Sequence, residues 1–393
     1  MTYNFTNRIN RKATGSYKWD QMYQWNSNVD EGVLPLSVAD MELHSPPEIY
    51  QGLIKYIEKK PIIGYTKPTD EFIDAVVKWQ EKRHNWCIKK DWIVNTTGVV
   101  AAFNAAIRAF SNVGDGVIIF RPVYYPFGLA VSSNNRKEVN VPLIETDGYY
   151  TIDFDAFEKA ASKAENKILL FCSPHNPVGR VWTKDELAKL SEIALKHDLI
   201  VISDEIWYDF VNPGHEHTIL YKVNEKLQDN LITCTAASKT FNLAGLATSS
   251  IIISNDKLRN KFALEVQRSH CSASNIFGFE ATKIAYNRCE QWLDELLGLV
   301  YSNQKMVNEF FEENYPKIKA SISDGTYLQG LDFRELGMSN EDLEEFLHKN
   351  QFFTDEGYVF GKEGSGFERI NVALPKDALR ELLERLLEAL NSL

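Results

Sequence analysis

Apolar and polar positions follow two different rhythms through the middle of the chain. Five short β-branched runs, GVIIF (116–120), KILLF (167–171), LIVIS (199–203), LITC (231–234) and SIIIS (250–254), are apolar at consecutive positions. Such continuity marks strands covered on both faces, the condition of a parallel sheet flanked by helices. Between several of the runs the apolar residues recur every three or four positions, as in TKDELAKLSEIALKH (183–197). That is the spacing of a helix burying one face. Strands alternating with helices predict an α/β fold with a mostly parallel sheet.

The texture changes near residue 280. A helical stretch runs from about Ala281 to Glu313, followed by a turn and strand in DGTYLQGLDFR (324–334). A short helix (NEDLEEFLHKN), a second strand near GFERINVAL and a closing helix (DALRELLERLLEAL) complete the chain. This is an α+β pattern. It predicts a large domain over 46–280 and a smaller C-terminal domain over 281–393. The irregular, aromatic-rich residues 1–45 form an N-terminal arm or part of the small domain. A length of 393 residues suits two domains better than one core.

Composition narrows the function by exclusion. A formal net charge of −11 disfavours a nucleic-acid or anionic-membrane surface. No apolar run approaches the ~20 residues of a spanning helix, and the polar start MTYNFTNRINRK does not resemble a signal peptide. The five cysteines are scattered and lack a CxxC pair, so neither a disulfide framework nor a zinc site is expected. A cytoplasmic protein without a metal follows. His215 and His217 share a Pro-Gly loop without a third ligand and read as solvated.

Ligands of open α/β sheets collect at the carboxyl ends of the strands. KILLFC runs out into SPHNPVG, carrying Asn176. LIVIS ends at Asp204. LITC leads into TAASKTFN, carrying Lys239. An amide, a carboxylate and a lysine thus leave three strands at intervals of 28 and 35 residues, about one β–α–β unit each. Upstream, a turn opens a helix near Gly98, whose free N–H groups suit an anion. RPVYYPF offers Tyr124 as a flat apolar face. Pyridoxal phosphate requires all of these: a lysine for its aldehyde, an acid for its ring nitrogen, a donor for its phenolate oxygen, a stacking ring and a phosphate cradle. A buried lysine sheds its charge readily, as attack on an aldehyde demands.

These segments resemble the fold-type-I pyridoxal-phosphate enzymes of the class I/II aminotransferase superfamily. More narrowly they are similar to its cystathionine β-lyase branch, the MalY/PatB family. The likeness runs through SVADME (37–42), GYTKPTDEF (64–72), RPVYYPF (121–127), CSPHNPVGRVWTKDEL (172–187), VISDEI (201–206), SKTFNLAGL (238–246), GTYLQGLDFR (325–334) and GFERINVALP (366–375). The resemblance implies a seven-stranded sheet and the following roles. Lys239 is the Schiff-base lysine and moves the substrate's α-proton. Asp204 pairs with the ring nitrogen, Asn176 donates to O3′ and Tyr124 stacks on the ring. Backbone N–H groups of Gly98, Val99 and Val100 hold the phosphate, with hydroxyls of Thr235 and Ser238. Tyr65 reaches the phosphate of a partner subunit, making the active unit a homodimer. Arg369 clamps the substrate α-carboxylate, and Asp40 lies near the substrate entrance.

Two positions depart from the pattern. Trp207 stands where the branch usually carries His, and Ala247 where many relatives carry a phosphate-binding Arg. The implied activity is β-elimination of a thiol from cystathionine, cysteine or a related S-substituted cysteine. Transamination of small amino acids is the alternative.

Overall fold

A computed structural model describes residues 2–273 and 275–393. Its strands, in chain order, are β1 (Ile93–Thr96), β2 (Gly116–Ile119), β3 (Lys137–Asn140), β4 (Ile144–Thr146), β5 (Tyr149–Thr151), β6 (Asn166–Cys172), β7 (Ile200–Asp204), β8 (Leu231–Thr235), β9 (Ser249–Ile252), β10 (Lys319–Ala320), β11 (Leu328–Asp332), β12 (Asp355–Glu356) and β13 (Phe367–Asn371). Seven form the central sheet in the order β1-β9-β8-β7-β6-β2-β3. The contiguous run β8-β7-β6-β2-β3 is parallel, whereas β9 runs antiparallel to both β1 and β8. The five apolar runs are β2, β6, β7, β8 and β9. Their side chains divide between two apolar clusters, one on each face of the sheet, as continuous apolarity requires.

Helix ends follow local chemistry. Thr183 caps the helix Lys184–Lys196 by accepting from the Glu186 N–H, and Glu186 reaches back to the Thr183 N–H, a reciprocal capping box. The helix Val99–Phe110 buries Ala102, Phe103, Ala105, Ala106 and Ile107. Its alanines let it lie close against the sheet, so its N-terminus arrives at the strand ends.

The long helical stretch is two helices, Ile276–Arg288 and Glu290–Asn314, divided at Cys289. Cys289 leaves helical geometry (φ −111°, ψ 16°), and its N–H closes the first helix on the Ala285 carbonyl. Neither Gly nor Pro marks the break, so the pattern of apolar positions runs through it. The second sheet, β10-β11-β13-β12, is antiparallel throughout. The N-terminal segment docks along it. Leu36 donates to the Phe353 carbonyl, Asn371 donates to the Leu36 carbonyl, and Glu42 donates to the Ala373 carbonyl.

Candidate active site

Register brings the first three functional side chains together. Cys172 of β6 lies opposite Asp204 of β7, and Asp204 opposite Cys234 of β8. The three strands therefore end at one level. Asn176 follows four residues after the first, Asp204 is the last residue of the second, and Lys239 follows five residues after the third. All three line a cavity of about 360 Å³, together with Gly98, Val99, Val100, Tyr124, Trp207, Ser238 and Arg369. A second cavity, about 340 Å³, opens between the β4–β5 hairpin and the β10-β11-β13-β12 sheet. It shares only Arg369 with the first and contains neither Lys239 nor Asp204, so the chemistry belongs to the first.

Lys239 sits on the one-turn helix Ala237–Thr240, directly beyond β8. Its Nζ donates to the Ala39 carbonyl at 2.8 Å and lies 5.6 Å from the centre of the Trp207 ring. No carboxylate salt-bridges it among the described residues. Burial and then the nearby Arg369 guanidinium lower its pKa to about 8, against the pull of Asp40, Asp204 and Asp355. The shift raises the share of neutral, nucleophilic amine at physiological pH.

Asp204 is 2% exposed, and its carboxylate accepts one bond, from the Ile206 N–H. Burial raises its pKa to about 7, because no described cation pairs with its charge. A cationic ring N–H placed against it would meet that need. Arg369, on β13, donates from Nη1 to Asn176 Oδ1 at 2.7 Å and from Nη2 to Asp355 Oδ2 at 2.5 Å. With its oxygen committed to Arg369, the Asn176 amide presents its –NH₂ as the available donor. The Tyr124 N–H donates to the Asn176 carbonyl, which ties the two loops together. The Tyr124 phenol is held well above its ordinary pKa by burial, so this ring is neutral.

At the far side, β1 turns into the helix Val99–Phe110 through Gly98. Its φ of +134° is a conformation that other residues rarely adopt. The first helical bond at this end runs from the Ala102 N–H to the Gly98 carbonyl, so the N–H groups of Val99 and Val100 have no helical acceptor. A helix start with free donors, beside Ser238, fits a phosphate. Ala247 lines the same region without a cation. Lysine, acid, amide, ring and anion cradle thus stand around one cavity, and the residues fit pyridoxal phosphate.

Three of the expected residues do not line this cavity. The Thr235 hydroxyl donates across the sheet to the Ser250 carbonyl at 2.8 Å, and Thr235 does not line the cavity. The alternation of β8 turns it away, so this hydroxyl is structural. Asp40 does not line the cavity either. Its carboxylate accepts from Arg11 at 2.8 Å, and what reaches Lys239 is the neighbouring Ala39 carbonyl. Tyr65 is fully exposed and does not line its own chain's cavity. Trp207 does line the wall, 2% exposed, with its ring edge-to-face on Tyr327 at 4.7 Å. His217 is not solvated: its side chain is 3% exposed and bonded to Glu205 at 2.9 Å.

Thr97, Thr248, Tyr17 and Asp355 line the cavity as well. Thr97 was accessible from its place beside Gly98. Asp355 was not, because only the pairing of β12 with β13 sets it opposite Arg369.

The family model for aminotransferase class I and II matches residues 31–386. The chain is 37% identical to cystathionine β-lyase PatB of Bacillus subtilis, over 99% of this chain and 100% of that one. It superposes on crystalline cystalysin of Treponema denticola, which contains a pyridoxal 5′-phosphate cofactor. The TM-score is 0.98 and the identity 51%, covering 100% of both chains. A pyridoxal-phosphate-bound C–S lyase of Staphylococcus hominis aligns with TM-score 0.91 and 30% identity, covering 99% of this chain and 98% of the other. Likeness from end to end, with the strand-end residues meeting in one cavity, makes this chain a member of the class I and II aminotransferase family, on its MalY/PatB branch.

Proposed function

We propose that the protein is a pyridoxal-phosphate-dependent carbon–sulfur β-lyase that cleaves cystathionine, cysteine or related S-substituted cysteines to thiol, pyruvate and ammonia. The observation that carries this reading is the convergence of Lys239, Asp204 and Arg369 on one cavity, in a chain similar along its whole length to C–S lyases and a cystathionine β-lyase.

Bound pyridoxal phosphate supplies an electron sink for the pair left on the substrate's Cα. The remaining work belongs to the chain. Arg369 receives the α-carboxylate, and Tyr124 and Trp207 wall the space around Cα and Cβ. Lys239, neutral once its proton is lost, accepts the proton from Cα. Asp204, as carboxylate, holds a proton on the ring nitrogen, while Asn176 donates to the ring oxygen. Val99, Val100 and Ser238 hold the phosphate. Loss of the α-proton then permits the Cβ–S bond to break toward sulfur, which leaves as thiolate.

We assign residues 46–280 to the cofactor domain and 281–393 to the small domain, with the arm 1–45 docked on the latter. The active unit in this reading is a homodimer. Residues 60–69 form neither helix nor strand and expose Ile62, Ile63 and Tyr65, which a second copy would cover. Tyr65 would then reach that copy's phosphate. The five cysteines are unpaired and suit the reducing cytoplasm, where we locate the protein. No described helix is long and apolar enough to cross a membrane.

Purified holoenzyme given L-cystathionine without a keto acid should release pyruvate and thiol in equal amounts. Turnover that instead requires a keto acid, and yields no pyruvate from any S-substituted cysteine, would overturn the lyase reading in favour of transamination.

A further inference from the structure

The carboxylate subsite is already half-neutralised. Asp355 Oδ2 accepts from Arg369 Nη2 and also from the Val38 N–H at 2.8 Å. Val38 is a β-branched residue at φ +55°, a strained backbone conformation. Three bonds hold its turn, one of them from the Asp40 N–H to the Val38 carbonyl at 2.9 Å. Asp355 holds the Val38 N–H, and the Asn371 amide donates to the Val38 carbonyl at 2.9 Å. The next residue, Ala39, presents the carbonyl that accepts from Lys239, at 2.8 Å, and from the Tyr327 hydroxyl at 3.0 Å. One carboxylate thus touches the guanidinium meant for substrate and the turn that restrains the reactive lysine. On the other side of the guanidinium, Nε is buried and has no partner among the described residues. The second hydrogens of Nη1 and Nη2 remain for a ligand.

We propose that Asp355 is a specificity-setting and positioning residue. It aims Arg369, lowers the net charge of the α-carboxylate subsite, and links occupancy of that subsite to the Val38–Ala39 turn over Lys239. An arriving α-carboxylate meets an ion pair instead of a bare cation, and it weakens the hold of Arg369 on Asp355 as it binds. The turn that carries the Ala39 carbonyl loses part of its anchor at the same moment. This assignment rests on the lyase reading only for the identity of the reaction; the subsite serves any α-amino acid.

The test therefore uses L-alanine, which has no leaving group at Cβ, and ethylamine, which has no carboxylate. Both are titrated into holoenzyme and followed by the absorbance of the bound cofactor. Asp355→Asn keeps the size of the side chain and removes its charge. The variant should bind L-alanine about three- to tenfold more tightly, the effect of deleting one like charge at ion-pair range in a partly hydrated site, with ethylamine unchanged. Asp355→Ala, which also removes the aim of Arg369, should gain less than Asp355→Asn.

A second readout needs no turnover. The charged groups facing Lys239 are Arg369, Asp40, Asp204 and Asp355. Removing one of the three acids should move the pH midpoint for pyridoxal-phosphate capture by cofactor-free protein downward. Equal shifts for alanine and ethylamine, weaker alanine binding by Asp355→Asn, or an unmoved capture midpoint would overturn the assignment. Absence of pyruvate release by the wild-type enzyme would count against the lyase reading alone.

Discussion

Asp204→Asn offers a measurement whose size follows from burial. The carboxylate is 2% exposed, without a described cationic partner, and its pKa rises from 3.8 to about 7. The folded, cofactor-free protein therefore holds this proton more tightly than the unfolded chain does. Stability from this group is complete below the unfolded pKa and is lost as pH climbs toward the folded one. Three pK units correspond to about 4 kcal/mol of destabilisation once the group is fully ionised. Less than half of that is felt near pH 5. Asparagine keeps the acceptor for the Ile206 N–H but never ionises. Cofactor-free Asp204→Asn should thus be more stable than cofactor-free wild type, by a margin that widens by about 2–3 kcal/mol between about pH 5 and pH 8. Urea unfolding of both proteins across this range reads the margin directly. Saturation with pyridoxal phosphate should reverse the order at pH 8, because the ring N–H pairs with the carboxylate. A margin independent of pH, or a wild type more stable than the variant at pH 8 without cofactor, would refute the claim that Asp204 is an uncompensated buried acid awaiting a cation.

Other consequences are equally direct. Lys239 attacks only as the free amine, so the rate of pyridoxal-phosphate capture by stopped-flow absorbance should rise with pH and level off above its pKa of about 8. Arg369→Ala should raise KM for S-substituted cysteines by about 10²–10³, corresponding to loss of a charge-assisted pair worth ~3–4 kcal/mol, with a smaller change in kcat. Steady-state kinetics separate the two. Thr235→Val should leave cofactor affinity unchanged in a dialysis titration while costing about 1 kcal/mol of stability, since its hydroxyl bonds within the sheet.

The central strands and the strand-end triad were legible in the sequence because one physical fact governs both. A strand buried on two faces is apolar throughout, so the polar residues just beyond it stand out, and in a parallel sheet those residues share an edge. Asn176, Asp204 and Lys239 were found this way. The edge strand β3 (KEVN) was invisible, because half-exposed backbone pairing imposes little on side-chain type. The division at Cys289 was also missed, since apolar spacing continues across it. Thr235 was misplaced for want of strand phase: one position decides whether a hydroxyl faces the cavity or the neighbouring strand. Asp40 and Asp355 show the limit most clearly. Both are acids near the same lysine, yet only backbone pairing puts Asp355 on Arg369, while Arg11 draws Asp40 aside.

The central claim is that Lys239 is the residue to which pyridoxal phosphate bonds in this cavity. Borohydride reduction of the holoenzyme, followed by digestion and mass spectrometry, tests it most directly. A reduced phosphopyridoxyl mass on the peptide carrying Lys239, absent from Lys239→Ala, is the predicted result. The same mass on a different lysine, in enzyme that remains active, would contradict the account.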